Sequence, residues 1–434
     1  MPDIYSHDIS GCFADAIGDR GASVESMDMV LDAAEGPWTL LRGALAEDDF
    51  PPLTLLQQTD DLDQIKMVAA RLTQHCDVVA IIGVGGSSLG AEALATLAAQ
   101  PQLELWFLDN PDPDSLARFR ASVDLSRTGA VVVSKSGGTA ETLAMAMTVV
   151  PMIIGARASD VVAEFVVAIA EPGDNPLRRL SEHWDITVID HDPEIGGRYA
   201  VFSAVGLLPA ALVGLDIEAV RAGGAEALEI NMRSANGRNA PAVVGAAVSI
   251  ELLRAQGART TVLMPYADVM APLARWYCQL WAESLGKNGR GTTPIDALGA
   301  VDQHSQLQLY LDGPDDKMFT VITQELAGRG ERVSPALAEI VGADYLAGHT
   351  TGDLMGVEQA ATIESLLSHH RPVRRIGITR VDEAAVGALM VHFMLETVMA
   401  AFLLGVDAFD QPAVEDGKEK TRQRLLTGLT GGPS

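Results

Sequence analysis

The chain is poor in cysteine, with only Cys12, Cys76 and Cys278 spread over 434 residues. No Cys-x-x-Cys pair and no cysteine–histidine cluster accompanies them, so the sequence predicts neither a disulfide framework nor a zinc site. The first ten residues, MPDIYSHDIS, also lack the basic region and the apolar run of a secretory signal. We therefore expect neither disulfide bonds nor export by such a signal.

Basic residues are scarce compared with acidic ones, with 31 Lys and Arg against 58 Asp and Glu and a formal net charge of −27. This balance argues against nucleic acid as a partner, because binding to a phosphate backbone needs a basic footprint. A small anionic substrate stays compatible with the charge if one site concentrates cations and backbone N–H groups. Elsewhere the acidic surface is expected to keep a soluble protein dispersed.

Long apolar runs are also nearly absent, since only Ala384–Val406 is long enough to prompt a membrane interpretation. The run contains His392 and Glu396, and no second run of this kind follows or precedes it. A buried helix of a large α/β protein has the same composition. We therefore predict a buried helix rather than a membrane span, and interpret His392 and Glu396 as a core pair rather than metal ligands.

Short apolar strands that alternate with helices dominate the rest of the chain, which is 48% hydrophobic. Such strands, without polar alternation, predict an α/β fold with parallel sheets covered by helices on both faces. The predicted strands are Asp77–Gly83, Leu103–Leu108, Ala130–Val133, Phe165–Ala170, Ile186–Ile189, Thr260–Met264, Met318–Thr323 and Val373–Thr379.

The strand pattern stops and restarts around a helical stretch at Ile217–Ala255, which predicts two α/β domains. We assign them to residues 46–215 and 216–381. An N-terminal helical segment, residues 1–45, and a C-terminal helical tail, residues 382–434, would flank them.

Two polar loops follow predicted strands, GVGGSSLG at residues 83–90 and SKSGGTAET at residues 134–142. Ligands of parallel α/β sheets sit at the carboxyl ends of strands, where glycines, hydroxyls and helix N-termini suit a phosphate group. Neither loop has the dinucleotide or P-loop spacing. A tight turn would explain the first loop equally well, whereas four hydroxyl residues in nine exceed what a turn requires in the second.

Five stretches together resemble one family. SKSGGTAET fits the S-x-S-G-x-T-x-E pattern of sugar isomerase (SIS) domains, and GVGGSSLG is similar to the IGIGGSxLG loop of the phosphoglucose isomerase family. The other three resemble signatures of the same family in the same order: IGGRYAVFSAVGL at 195–207, QLWAESLGKNG at 279–289 with DQHS at 302–305, and FDQPAVEDGK at 409–418.

The resemblance implies two SIS-type domains, each an αβα sandwich, and an aldose–ketose isomerase acting on glucose 6-phosphate and fructose 6-phosphate. It further implies a cytoplasmic homodimer in glycolysis and gluconeogenesis, with no cofactor, no metal, and an active site completed by the neighbouring subunit's histidine. An enzyme that also accepts mannose 6-phosphate is one alternative. A non-catalytic phosphosugar-binding protein is another, although it would need no base, proton shuttle or anion-stabilising group.

The isomerisation needs a carboxylate that reaches both C2 and C1, and the resemblance assigns this role to Glu283. Apolar neighbours surround Glu283 in the sequence, and Gln279 lies one helical turn earlier, where it could hold substrate hydroxyls. The permanently charged guanidinium of Arg198, after two glycines, suits a developing enediolate oxygen.

Ring opening needs a proton shuttle, for which the resemblance indicates His304. Lys418 would assist ring opening as a cation, and Gln411 would donate to the phosphate or to substrate hydroxyls. Lys135 would pair with the phosphate or anchor its loop to a carbonyl. The remaining substrate-binding positions implied by the family are Gly86, Ser87, Ser134, Ser136, Thr139 and Glu141.

Overall fold

The computed structural model describes residues 3–428, so residues 1, 2 and 429–434 of the two terminal segments lie outside it. The strands within this range are β1 Ser6–Asp8, β2 Val78–Ile82, β3 Glu104–Leu108, β4 Thr128–Val133, β5 Val166–Ala170, β6 Thr187–Asp190, β7 Thr260–Pro265, β8 Thr293–Asp296, β9 Lys317–Gln324 and β10 Val373–Ile378.

Helices connect and cover the strands. They are α1 Ala14–Ile17, α2 Val24–Ala46, α3 Pro51–Thr54, α4 Asp60–His75, α5 Leu89–Ala95, α6 Pro113–Ser122, α7 Ala140–Ala156, α8 Pro176–Trp184, α9 Ala204–Leu212, α10 Ile217–Met232, α11 Pro241–Glu251, α12 Ala271–Leu285, α13 Leu307–Asp312, α14 Pro335–Val341, α15 Thr351–Ser368, α16 Glu383–Leu404 and α17 Val414–Thr427.

The first sheet is wholly parallel, with the strand order β3-β2-β4-β5-β6. Every residue of its three central strands is buried, because helices cover both faces. Continuous apolar runs such as VVAII in β2 follow from this environment. All five strands agree with those predicted from the sequence to within two residues at each end.

The second sheet has the order β1-β10-β9-β7-β8, and β1 is its only antiparallel strand. The sequence analysis predicted β7, β9 and β10 but neither β1 nor β8. Both are short strands at the sheet edges with partly exposed residues, so neither forms an apolar run. The segment 1–45, predicted as helical, thus also contributes the strand β1 to the second sheet. The division of the chain into four segments stays a prediction.

Helix α16 lies in the core, against α2, α10, α11 and α12. It begins after Asp382, whose side chain accepts a hydrogen bond from the Ala385 N–H, and ends at Gly405 in the left-handed conformation. Within residues 3–428, it is the one helix long and apolar enough to cross a membrane. However, 89% of its most apolar window is buried inside the fold. This agrees with the buried helix predicted for residues 384–406.

A fully buried polar network ties α16 to the second sheet and the N-terminal segment. Arg374 of β10 donates to Glu396 over 2.6 Å, and Glu396 lies 3.1 Å from His392. The other nitrogen of His392 lies 3.0 Å from the Tyr5 hydroxyl. Although burial raises the pKa of Glu396, Arg374 and His392 together hold it below its usual value. His392 and Glu396 therefore form the predicted core pair, with Arg374 as the cation that neutralises it.

We expect Glu396→Gln to destabilise the protein by about 3–5 kcal/mol, because it leaves the Arg374 charge buried without a counter-charge. The free energy of unfolding in urea measures this. Glu226→Gln, at an exposed position on α10, is the matched control and should change stability by less than about 0.5 kcal/mol. Equal stabilities for the two variants would show that the ion pair does not hold α16 in place.

Candidate active site

The two polar loops lie side by side at the carboxyl edge of the first sheet, because they follow the neighbouring strands β2 and β4. The first loop continues as a 3₁₀ turn, Gly85–Ser87, into α5, and the second leads into the 17-residue helix α7. The N-terminal N–H groups of α7 thus begin directly after the hydroxyl-rich loop. This arrangement provides hydroxyls and a helix N-terminus at one edge, as the sequence predicts.

Local hydrogen bonds hold the second loop in shape. The Ser134 hydroxyl donates to Thr139 over 3.1 Å, and Ser136 accepts from the Gly138 N–H over 3.3 Å. The backbone turns at Gly137, whose φ is +63°. A Cβ atom there would lie 1.9 Å from the Asn175 side-chain oxygen, so the turn requires glycine.

Lys135 anchors the second loop to a carbonyl, one of the two roles considered from the sequence. Its ammonium donates to the Pro193 carbonyl over 2.5 Å. The side chain is half-buried and also borders a small cavity that reaches Ser87 of the first loop. Lys135 therefore places a positive charge between the two loops.

The first loop packs directly on the segment Gly197–Phe202, which carries Arg198. A Cβ atom at Gly86 would lie only 2.3 Å from the Gly197 carbonyl carbon, so two backbones meet there without side chains. On its other side the loop approaches α12, since a Cβ atom at Gly85 would lie 3.0 Å from the Gln279 side-chain nitrogen. Glycine at these positions lets three separate segments of the chain converge.

Glu283 lies where these segments meet and is the centre of a hydrogen-bonded cluster. Gln279 donates to its Oε1 over 2.9 Å, and Arg198 donates to its Oε2 over 3.1 Å. The same Nη1 of Arg198 donates to Gln411 over 2.8 Å. Glu283 keeps 32% of its side chain exposed, whereas Arg198 keeps 3%. A buried cation thus stands beside an accessible carboxylate.

Every N–H group of the Arg198 guanidinium donates to an acceptor within the protein. Beyond Glu283 and Gln411, its Nε donates to the Ser284 hydroxyl over 2.8 Å. Its Nη2 donates to the Ala408 and Asp410 carbonyls over 2.6 and 3.1 Å. Because each of the five N–H groups of this rigid plane has an acceptor, the guanidinium is fixed in position and orientation.

Sequence reasoning missed two polar residues of this region, Ser284 and Lys287. Ser284 is fully buried, and Lys287 holds the loop before α17 through the Asp407 carbonyl and the Asp410 carboxylate, at 2.9 Å for the latter. Both residues lie within four positions of Glu283 in the sequence. This proximity is the feature from which they could have been predicted. A cavity of about 830 Å³ opens beside them and is also lined by Glu283 and Gln411.

Three of the predicted residues lie apart from this cluster. His304 is exposed at the end of the turn Val301–Gln303, and Glu141 is exposed in the first turn of α7. Lys418 lies on α17, a helix without any buried residue, and pairs with Glu415 over 2.7 Å. Among residues 3–428, neither His304 nor Lys418 contacts Glu283 or lines the cavity beside it.

Comparison with known proteins gives consistent results at the level of sequence family and fold. The family model of phosphoglucose isomerase matches residues 68–429. A glucose-6-phosphate isomerase of Rubrobacter xylanophilus is 37% identical over 394 residues, which cover 88% of this chain and 90% of that protein.

Two solved structures share the fold over nearly the whole chain. A hypothetical protein of Thermus thermophilus superposes with a TM-score of 0.84 at 29% identity, covering 97% of this chain and 99% of that one. A glucose-6-phosphate isomerase of Chlamydia trachomatis gives a TM-score of 0.78 at 21% identity, covering 98% and 93%. The family match includes all five sequence motifs and the strands β2 to β10, and the chain belongs to the phosphoglucose isomerase family.

Proposed function

We propose that this protein is a glucose-6-phosphate isomerase that interconverts glucose 6-phosphate and fructose 6-phosphate. The family assignment and the 37% identical relative of that name support the reaction. The observation that carries the proposal is the accessible Glu283 carboxylate beside the buried Arg198 cation, next to two hydroxyl-lined loops. A protein that only bound phosphosugars would need the loops but not this pair.

The phosphate group of the substrate binds between the two loops in this proposal. Hydroxyls of Ser87, Ser136 and Thr139 donate to its oxygens, and Ser134 joins them once its hydroxyl turns away from Thr139. The N-terminus of α7 favours the negative charge of the phosphate. Lys135 adds a cation that its bond to Pro193 holds in place. Fixing this distant group positions C1 and C2 near Glu283, which converts binding energy into orientation of the reacting atoms.

Glu283 then removes the proton from C2, the electron pair of the C2–H bond forms the C1–C2 double bond, and the C1 carbonyl pair moves to O1 to give an enediolate. When Glu283 returns the proton to C1, the hydrogen of O2 passes to O1 and C2 becomes the carbonyl carbon. One residue serves both carbons because they are adjacent. Arg198 stabilises the negative oxygen and, being always charged, does not give up its proton. Gln279 and Gln411 hold the carboxylate and the guanidinium. Both would also contact substrate hydroxyls in this proposal.

Ring opening requires groups that this chain does not bring to its own Glu283, and we assign it to His304 and Lys418. The exposed position of His304 supports a homodimer in which each subunit supplies this histidine to the other. Val301 and Leu309 on the same stretch are 60% and 49% exposed and would be covered in such a dimer. Lys418 would approach when α17 closes over the cavity. Glu141, at the start of α7, would act as an orienting group beside the second loop. The reaction needs no metal or cofactor, and we place it in the cytoplasm.

Replacing the base should abolish catalysis without abolishing binding. For Glu283→Gln we expect kcat to fall by at least about 10²–10⁴ and KM to stay within about tenfold, because the amide keeps the shape but accepts no proton. A coupled assay with fructose 6-phosphate measures both constants. Glu226→Gln is the control, and near-normal turnover of Glu283→Gln would exclude Glu283 as the base.

His304→Ala should impair cyclic substrates more than acyclic ones. Glucose 6-phosphate must open its ring, whereas a four-carbon aldose 4-phosphate has no hydroxyl free to close one. We expect a loss of about 10²-fold or more in kcat/KM for the first and a clearly smaller loss for the second. His183→Ala, at an exposed position on α8, is the control. Equal losses on both substrates would remove the ring-opening role.

A mixing experiment tests the shared site directly. Glu283→Gln and His304→Ala subunits are each inactive alone, but a heterodimer has one site with both residues intact. Co-expression with random pairing should therefore restore about a quarter of the wild-type activity. If both groups came from one subunit, every site would lack one of them and no activity would return.

A further inference from the structure

A buried histidine that the proposed mechanism does not use lines a cavity that both loops border. His191 follows strand β6 at the carboxyl edge of the first sheet, and its backbone N–H donates to the Ala170 carbonyl over 3.0 Å. Only 3% of the residue is exposed. It is not part of any of the five motifs, and its position in the fold is what brings it to the site.

The hydrogen bonds of His191 define which ring nitrogen carries the proton. Its Nε2 lies 3.0 Å from the Ile195 carbonyl oxygen, which can only accept, so Nε2 carries the hydrogen. In the neutral ring, Nδ1 is then an acceptor. This nitrogen is buried and has no hydrogen-bond partner among the described residues. A buried polar atom without a partner is unfavourable unless something else satisfies it.

The cavity that His191 borders is the one that joins both phosphate loops. It is also lined by Gly86 and Ser87 of the first loop, Lys135 of the second, and Gly197 beside Arg198. Its volume of about 10 Å³ accommodates roughly one water molecule. His191 therefore reaches the same small space as the groups that we assign to the substrate phosphate.

The charges around His191 favour its neutral form in the unliganded protein. Burial lowers the pKa of His191, and the nearby Lys135 ammonium lowers it further. The Ile195 carbonyl and the carboxylates of Asp192 and Glu171 oppose these effects without overcoming them. A phosphate dianion beside Lys135 would cancel the cation and favour a positive imidazole.

We propose that His191 is a further residue of the phosphate site, which takes up a proton at Nδ1 as the phosphate dianion binds. The protonated ring then donates to a phosphate oxygen, directly or through one water molecule in the shared cavity. The proton comes from solvent, and no covalent bond to carbon, oxygen or phosphorus changes. The proposal deepens the proposed function and rests on its location of the phosphate.

The first experiment measures proton uptake when inorganic phosphate binds to the purified protein. Calorimetry in two buffers of different ionisation enthalpy, at pH 7, gives the number of protons taken up per phosphate. We expect the wild type to take up more protons than His191→Phe, which keeps the ring volume but has no nitrogen. His191→Gln keeps a donor for the Ile195 carbonyl and should resemble His191→Phe. Equal uptake in all three proteins would overturn the proposal.

The second experiment follows KM for fructose 6-phosphate against pH. At pH 6.5 we expect His191→Phe and His191→Gln to raise KM about tenfold, the loss of one hydrogen bond to a charged group, with kcat within about threefold. The ratio of variant to wild-type KM should fall toward one as the pH rises to 8.5, because His191 then no longer gains a proton. The phosphate of the substrate titrates identically in every assay and cancels in this ratio.

His183→Gln controls for loss of a histidine as such, and thermal unfolding identifies any variant that does not fold. A pH-independent ratio would assign His191 a purely structural role and overturn the proposal. The proposed function and the role of His191 are tested by different outcomes. An absence of isomerase activity in the wild type would refute the proposed function, while proton uptake with inorganic phosphate would still decide the role of His191.

Discussion

The fixed contact between Arg198 and Glu283 is the interaction on which the rest of the site depends. A carboxylate that must both accept and return a proton needs a cation close enough to stabilise the enediolate, yet unable to exchange the same proton. The structure meets this requirement by surrounding a nearly inaccessible guanidinium with acceptors from two segments, the end of α12 and the loop between α16 and α17. Glu283 occupies the one direction that remains partly open to substrate.

This contact in turn depends on how closely the backbone segments approach each other. Gly86 and Gly197 meet without side chains between them, so the first loop and the segment of Arg198 form one rigid unit. The neighbouring strands β2 and β4 place the second loop at the same edge. The sheet positions the two loops, and the close approach of the first loop to α12 at Gly85 sets them beside the carboxylate. In the proposed function, a phosphate held by the loops would orient the sugar carbons at Glu283.

In the proposed mechanism, one chain holds only part of the machinery. Base, anion stabiliser and loops lie around the first sheet and α12, in the rigid interior. His304 and Lys418 lie on exposed elements, the turn after β8 and helix α17, which make few contacts with the core. In the proposed mechanism, groups for ring opening are needed only at the start and end of the reaction. On a partner surface and on a peripheral helix, these groups would leave the site accessible between the two steps.

Among residues 3–428, the sequence by itself determined the α/β class and eight of the ten strands, and it indicated the residue types of the proposed site. Buried parallel strands leave continuous apolar runs in the sequence, and a phosphate loop needs glycines and hydroxyls in a short stretch. Both features are local, so they can be recognised from the sequence. Five ordered motifs likewise identified Glu283, Arg198, Gln279 and Gln411 before their contacts were known.

Only the tertiary structure decided what depends on contacts between distant segments. The edge strands β1 and β8 owe their conformation to pairing with neighbours rather than to an apolar pattern. The full set of acceptors around Arg198, including Ser284 and the Ala408 carbonyl, comes from positions up to 213 residues away. His191 stands in no motif, and it reaches the cavity shared by the loops because β6 ends at the same edge of the sheet, two strands from β4. Local sequence determines composition and the propensity for helix or strand. Which cavity a side chain reaches depends on the fold of the whole chain.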